Sequence, residues 1–217
     1  MQWRLLEGVD EEDVRRLVSV SRRRRFGRNE VVFHRDDPGD SLHLIEKGRF
    51  AIRIMTPLGD TVTIAVRGPG ESFGEMALVG EAPRRSATVV ALEQAETLAV
   101  YKREFEDLRR NHRSVDEVLF AFLVAEIRML NERLLEALYI PVERRVLRRL
   151  RELTSTAADS QEPAAVPLTQ EELAELAGTT RATINRILRH EEERGTVALE
   201  RGRTLVLDRA EIARRAQ

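Results

Sequence analysis

The chain has 217 residues, 42% of them hydrophobic, and 36 basic against 37 acidic side chains leave a formal net charge of -1, so one large or two modest cores are expected and any nucleic-acid contact must use a local basic patch. With Cys 0, disulfides, thiolate metal sites and cysteine-ligated iron–sulfur clusters are excluded, which fits a reducing cytoplasm. Met1–Arg4 lead into charged residues instead of an apolar targeting segment and no apolar run approaches a membrane span, so a cytoplasmic protein with no membrane partner is expected.

Leu5, Leu6, Val9, Val14, Leu17 and Val18 suggest one or two small amphipathic helices at the start. Near Phe26 the pattern changes. Runs rich in β-branched residues (Val31–Phe33, Leu42–Ile45, Ala51–Met55, Val62–Val66, Ala87–Val90, Thr97–Val100) alternate with glycines at 39, 48, 59, 68, 70, 74 and 80, which predicts a small β-barrel or sandwich. The chain then turns helical. Ser114 and Glu117 have capping-box spacing, and neither Gly nor Pro interrupts the sequence until Pro141. Phe120, Leu123, Ile127, Leu130, Leu134 and Ala137 follow the steps of three and four of a coiled-coil seam, while Val118, Leu119, Phe122 and Met129 form a second stripe. A helix packed between its own barrel and a second copy of the chain satisfies both stripes, as does a helix buried within a monomer; the heptad spacing favours the homodimer, through the helix from about 114 to 139.

Pro141 disfavours helical geometry at Ile140, so this helix should stop near Tyr139 and another begin at Val142 with Val146, Leu147, Leu150 and Leu153 inward. The expected organisation is α+β: residues 1–110 as a β-barrel effector domain with N-terminal helices, 111–140 as dimerisation helix and hinge, and 141–217 as a DNA-binding domain. Thr154–Pro167 reads as a loop.

Thr169 and Glu172 repeat the capping-box pattern, and Leu173, Leu176 and Ala177 then bury one side of a short helix that stops at Gly178. Thr179 or Thr180 can cap the next helix, Arg181–Glu193, which buries Ile184, Ile187 and Leu188 and leaves Arg181, Thr183, Asn185, Arg186 and Arg189 on other faces. A glycine turn between two such helices is the arrangement that admits a helix to the major groove N-terminus first. Thr196–Glu200 and Thr204–Asp208 alternate around Arg201 and Gly202 as a β-hairpin, making the domain winged and putting Arg201 and Arg203 within reach of phosphate. The expected DNA-binding set is Thr169, Gln170, Thr180, Arg181, Ala182, Thr183, Arg186, Arg201 and Arg203, acting on double-stranded DNA as two-fold related half-sites roughly 34 Å apart.

Arg67–Val89 reads RGPGESFGEMALVGEAPRRSATV, preceded by PGDSLHLIEKGRFAI from Pro38 and followed by TQEELAELAGTTRATINRIL from Thr169. In these segments and their order the chain resembles the cyclic-AMP receptor protein (CRP/FNR) family of bacterial transcription factors: glycine-punctuated barrel, phosphate-binding cassette, dimerisation helix, helix-turn-helix. A glycine-containing loop exposes backbone N–H groups and an arginine can pair with two phosphate oxygens, so the cassette makes sense as an anion site. Carried over by motif position, the resemblance implies that Arg85 and Ser86 hold the phosphate of cyclic AMP or a related nucleotide. Gly74 and Glu75, with Met76 beside them, hold the ribose 2′-hydroxyl, and Leu130 and Asn131 meet the base.

Two positions depart from the family pattern. Leu130 replaces the usual threonine and can pack on a base without hydrogen-bonding its edge; Ala182 stands where the best-known members read cytosine with a glutamate. A ligand-independent regulator with Glu75 and Arg85 ion-paired in a vestigial pocket is the alternative. The resemblance adds RNA polymerase as a partner through the Thr154–Pro167 loop, whose composition equally reads as a linker. No nucleophile–base pair accompanies the cassette, so an enzyme is not expected, and a nucleotide module regulating a protein partner is disfavoured by the C-terminal domain. No metal or haem is expected, since His34, His43, His112 and His190 are scattered.

Overall fold

Strand β3 (Ser41–Lys47) is covered on both faces, and this explains the order of the N-terminal half. Leu42 and Leu44 point to one side, where Leu98 and Val100 of β8 (Ala95–Tyr101) join Trp3, Leu5, Leu6, Leu17, Phe105, Val115 and Leu119. Ile45 points to the other, against Phe26, Phe50, Phe73, Val89 and Ala91. Alternate side chains of one strand thus belong to two cores.

The computed structural model describes residues 3–57, 59–78, 83–111, 114–154 and 163–217. Two four-stranded sheets form the barrel, in the orders β1-β8-β3-β6 and β2-β7-β4-β5, with β1 at Arg22–Phe26, β2 at Val31–Phe33, β4 at Phe50–Met55, β5 at Thr61–Arg67, β6 at Ser72–Phe73 and β7 at Thr88–Ala91. The six predicted strands are present. β1 and β6 are additions: β1 is a run of four arginines ending in Phe26, antiparallel to β8 from Arg22↔Ala99 to Phe26↔Ala95. At the β3–β4 turn Gly48 has φ +74, and an added Cβ would stand 2.6 Å from that of Ala95, so a side chain is excluded there.

Helix α1 (Glu11–Val20), capped by Asp10, and helix α2 (Lys102–Asn111) cover the outer core. Helix α3 runs from Ser114 to Tyr139 and α4 from Val142 to Thr154, either side of Pro141. On α3, Leu119 is buried and Phe122 partly so, while the seam residues Phe120, Ile127, Leu130 and Leu134 are each more than half exposed. The side chains of Ser114, Glu117 and Val118, together with Gly80, His112 and 155–162, lie outside the described residues. Among the described residues no helix is long and apolar enough to cross a membrane.

Contacts divide the chain into two units, Met1–Ile54 with Ala65–Leu130, and Met55–Ile64 with Asn131–Gln217. In the second, α5 (Gln170–Ala177) and α6 (Arg181–Glu193) pack on α4 through Leu147, Leu150, Leu173, Ile184 and Leu188. The wing is larger than a hairpin. β10 (Val197–Glu200) pairs with β11 (Arg203–Val206), and β9 (Ala164–Val166), inside the expected loop, adds a third strand through Thr204↔Val166. A last helix, α7 (Arg209–Arg215), is capped by Asp208. Glu136, near the end of α3, is 6% exposed and ion-paired with Arg148 at 3.2 Å and with buried Arg149. Removing one partner of a buried pair strands the other charge, so Glu136→Gln should lower unfolding free energy on the order of 3 kcal/mol. Urea unfolding measures this; an unchanged midpoint would show that the pair carries no net stability.

Candidate functional site

The cassette is built around Arg85, which is 5% exposed. Its backbone is fixed first: Arg85 N donates to Asp37 O at 2.9 Å, and its carbonyl accepts from Asp36 N at 2.8 Å. The side chain then runs inward. Nη1 donates to Ser41 O at 2.6 Å and to Gly74 O at 3.4 Å, and Nη2 to Ser41 Oγ at 3.0 Å. The guanidinium lies over the Phe33 ring, 4.0 Å from its centroid, a favourable cation–π placement. Its Nε is buried and has no hydrogen-bond partner. Gly74, with φ +84, makes room for this group: a Cβ there would stand 2.8 Å from Arg85 Nη1 and 3.1 Å from Ser41 O.

No ion pair joins Glu75 to Arg85; the carboxylate at Arg85 is that of Asp40, at 3.5 Å. Burial raises the Glu75 carboxyl above its ordinary value, Glu126 adds to the rise, and Arg67 and Arg85 oppose it. Arg67 itself is spent elsewhere, on Glu71 at 3.1 Å and on Glu126 of α3 at 2.6 Å. Burial works against the Arg67 charge, but the two carboxylates outweigh it and hold the guanidinium above its ordinary value. Two carboxylates therefore occupy the one arginine beside the cassette, and Glu75 is left without an ion pair among the described residues.

Of the residues singled out in the sequence, Gly74 and Arg85 are in contact and Glu75 follows Gly74 directly. Met76 and Ser86 are exposed next to them, and Leu130 and Asn131 are exposed on α3. The sequence reading missed Phe33, Ser41, Arg67 and Glu126. Arg67 opens the glycine-rich segment, so a cation there was a readable signal; Glu126 was not, because nothing local distinguishes it from other helix-surface acids.

Beneath Arg85 lies His43, 3% exposed, stacked on Phe73 with ring centroids 4.9 Å apart and bonded through Nδ1 to Thr97 Oγ1 at 3.0 Å. Burial, then Arg85 and Arg24, lower its pKa from 6.5 to about 3. The imidazole stays neutral, and Arg85 is the cation of the pair. Among the described residues no group of three or more His, Asp or Glu side chains could hold a metal, and His34 and His190 are exposed.

In the C-terminal unit the capping box is complete: Thr169 N donates to Glu172 Oε2 at 2.8 Å and Glu172 N to Thr169 Oγ1 at 3.2 Å. Gly178, φ +62, closes α5 with left-handed geometry. Thr180, and not Thr179, caps α6 by accepting from Thr183 N at 3.3 Å. A cleft of about 410 Å³ lies between the start of α5, the start of α6 and the wing, lined by Thr169, Gln170, Arg181, Leu199, Gly202 and Arg203 among others. Arg181, Arg186 and Arg201 are exposed and without an ion pair among the described residues, whereas Arg203 pairs with Glu200 at 2.6 Å.

A family model of the cyclic nucleotide-binding domain matches residues 23–112, and a model of the Crp-like helix-turn-helix domain matches residues 144–215. The cyclic AMP receptor protein of Thermus thermophilus is 32% identical over 95% of this chain and 93% of its own length. The chain belongs to the cyclic AMP receptor protein family. A CRP-like cAMP-activated global transcriptional regulator of Mycobacterium tuberculosis is 28% identical over 98% of the chain and 96% of its own length. Among solved structures, the Thermus thermophilus catabolite activator protein covers 98% of both chains at 31% identity and a TM-score of 0.56. The c-di-GMP responsive regulator CLP of Xanthomonas campestris, at 20% identity and a TM-score of 0.74, covers 92% of this chain and all of its own and shares the fold. As a receptor-family member the chain is a DNA-binding transcription regulator with a cyclic nucleotide-binding domain.

The neutral His43 gives this site a pH signature. A histidine depressed in the folded state takes up its proton first in the unfolded chain, so stability is whole above pH 6.5 and is lost as pH falls toward about 3. The slope is that of one proton, about 1.4 kcal/mol per pH unit. Urea unfolding between pH 7 and pH 4 should show this slope reduced by one proton in His43→Phe; equal slopes would contradict it.

Proposed function

We propose that the barrel binds cyclic AMP or a close relative and that occupancy shifts a homodimer toward the state that fits DNA. The observation carrying this reading is the guanidinium of Arg85: buried, cationic, with Nε unpartnered, and held against the Gly74 carbonyl one residue before Glu75. A phosphate supplies the acceptors that Nε lacks, Ser86 adds a hydroxyl, and a charge-assisted pair in a buried site is strong. Glu75, without an ion pair among the described residues, is an acceptor for a ribose hydroxyl, and Met76 and Gly74 shape the same turn. Leu130 and Asn131 supply an apolar surface and an amide for the base. The names of the Mycobacterium and Thermus relatives support cyclic AMP as effector.

Homodimerisation through α3 is supported by the exposed seam of Phe120, Leu123, Ile127, Leu130 and Leu134, an apolar stripe that a matching helix would bury. On this reading residues 1–110 sense, 111–140 pair the subunits and 141–217 read DNA in the cytoplasm, with RNA polymerase as the further partner. A nucleotide preferring one state of the dimer is sufficient to drive the change, whose rotation is absorbed near Ile140 and Pro141.

Fluorescence anisotropy with labelled duplexes tests the switch. Cyclic AMP should raise specific DNA affinity, and Arg85→Gln should weaken nucleotide binding by about 30-fold or more in calorimetry, the cost of truncating a buried charge that meets a charge. Full DNA binding without nucleotide, and no heat with cyclic AMP or cyclic GMP, would make the protein constitutive. On the DNA side, Arg181→Ala should cost about 1–3 kcal/mol and relax preference at one base pair, whereas Arg201→Gln should reduce the salt slope by about 1 without changing preference. An unchanged binding-site profile for Arg181→Ala removes it from the reading set.

A further inference from the structure

The exposed side of α6 carries Arg181, Ala182, Asn185, Arg186 and Arg189, but these are not equally available. Arg189 is tied to Glu192 at 2.8 Å, and Thr180 and Thr183 are occupied with each other at 3.0 Å and with the cap. Asn185 differs from all of these. Its Nδ2 donates to Oε1 of Gln170, the first residue of α5, at 3.1 Å, so one of its two amide hydrogens is held while the other and the carbonyl oxygen Oδ1 make no described contact. Asn185 lies one helical turn beyond Arg181 and three residues after Ala182, on the same stripe. Ala182 offers only a methyl group, which donates and accepts nothing and leaves the space beside Asn185 clear.

A free amide N–H next to a free carbonyl oxygen matches one base edge in the major groove. Adenine presents an N7 acceptor beside an N6–H donor, and asparagine meets both. We propose that Asn185, oriented by Gln170, is a specificity-determining residue that reads an adenine in each half-site, on ground that Ala182 leaves vacant. Nδ2–H donates to N7, and Oδ1 accepts from N6–H. Gln170 is the positioning residue: it fixes the amide plane before DNA arrives and so lowers the ordering cost of the contact. This rests on α6 being the helix that enters the major groove.

Selection of bound duplexes from a randomised pool by the full-length protein, with cyclic AMP added, should return an adenine in each half-site whose replacement by guanine weakens binding by about 5- to 150-fold. Asn185→Ala should lose discrimination at that pair alone and keep wild-type affinity for random duplex. Gln170→Ala should weaken the preference without abolishing it. A measurement on the unaltered protein guards against a variant that fails to fold: 7-deaza-adenine at the selected position removes the N7 acceptor and should weaken wild-type binding, with no further effect on Asn185→Ala. The inference is overturned if wild-type protein selects a site but no adenine, if Asn185→Ala returns the wild-type profile, or if 7-deaza-adenine is tolerated. Failure of the wild-type protein to select any site, with no salt-dependent DNA shift, would instead remove the groove-reading assignment of α6 on which the inference rests.

Discussion

Burying one guanidinium dictates how the nucleotide cassette is arranged. A cation removed from water costs several kcal/mol unless acceptors surround it, and Arg85 meets that requirement with the Ser41 and Gly74 carbonyls, the Ser41 hydroxyl and the face of Phe33. Each neighbour is constrained in turn. Position 74 has no space for a Cβ, position 33 presents an aromatic ring, and the imidazole of His43 stays neutral because it is buried and because a second charge beside Arg85 would be repelled. The cassette keeps its cation by shaping the barrel strands around it, with one longer contact to the exposed carboxylate of Asp40.

The same economy appears where the barrel meets α3. Arg67, at the end of β5, clamps Glu71 and Glu126 in a half-buried fork, leaving Glu75 to face the cassette without an ion partner among the described residues. The side of α3 that carries Leu119 is thereby tied to the barrel both by apolar packing and by an ion pair, while its other side stays apolar and exposed. A helix dressed this way is complete on one flank only.

Much of this was readable from the sequence, and the exceptions have physical causes. Six of the barrel strands, the Pro141 break, the capping box at Thr169 and the closing Gly178 follow from periodicity and local chemistry. β1 was hidden because arginines do not look like a strand. Only the fold supplies their partners, Glu46 and Glu96 for Arg23 and the ring of Tyr101 for Arg22. β9 sits in a segment rich in Ala, Ser, Thr and Pro, and its three residues are a strand only because β11 offers an edge. Around the cassette, Gly74, Glu75 and Arg85 lie within one short segment, but Phe33, Ser41 and Glu126 come from distant parts of the chain. Their contribution is tertiary.

The C-terminal unit has one further property, set by Arg145. From the first turn of α4 it donates to Ile140 O at 2.9 Å, to Ala177 O at 3.0 Å and to Gly178 O at 3.0 Å. The peptide preceding Pro141 and the bend between α5 and α6 are therefore pinned to one rigid, planar fork. The bend between the two helices is thereby held to the start of α4 through a single side chain. Loss of the Arg145 side chain would release all three carbonyls at once, so the placement of α6 within this unit depends on a residue that lies outside both helices of the helix-turn-helix.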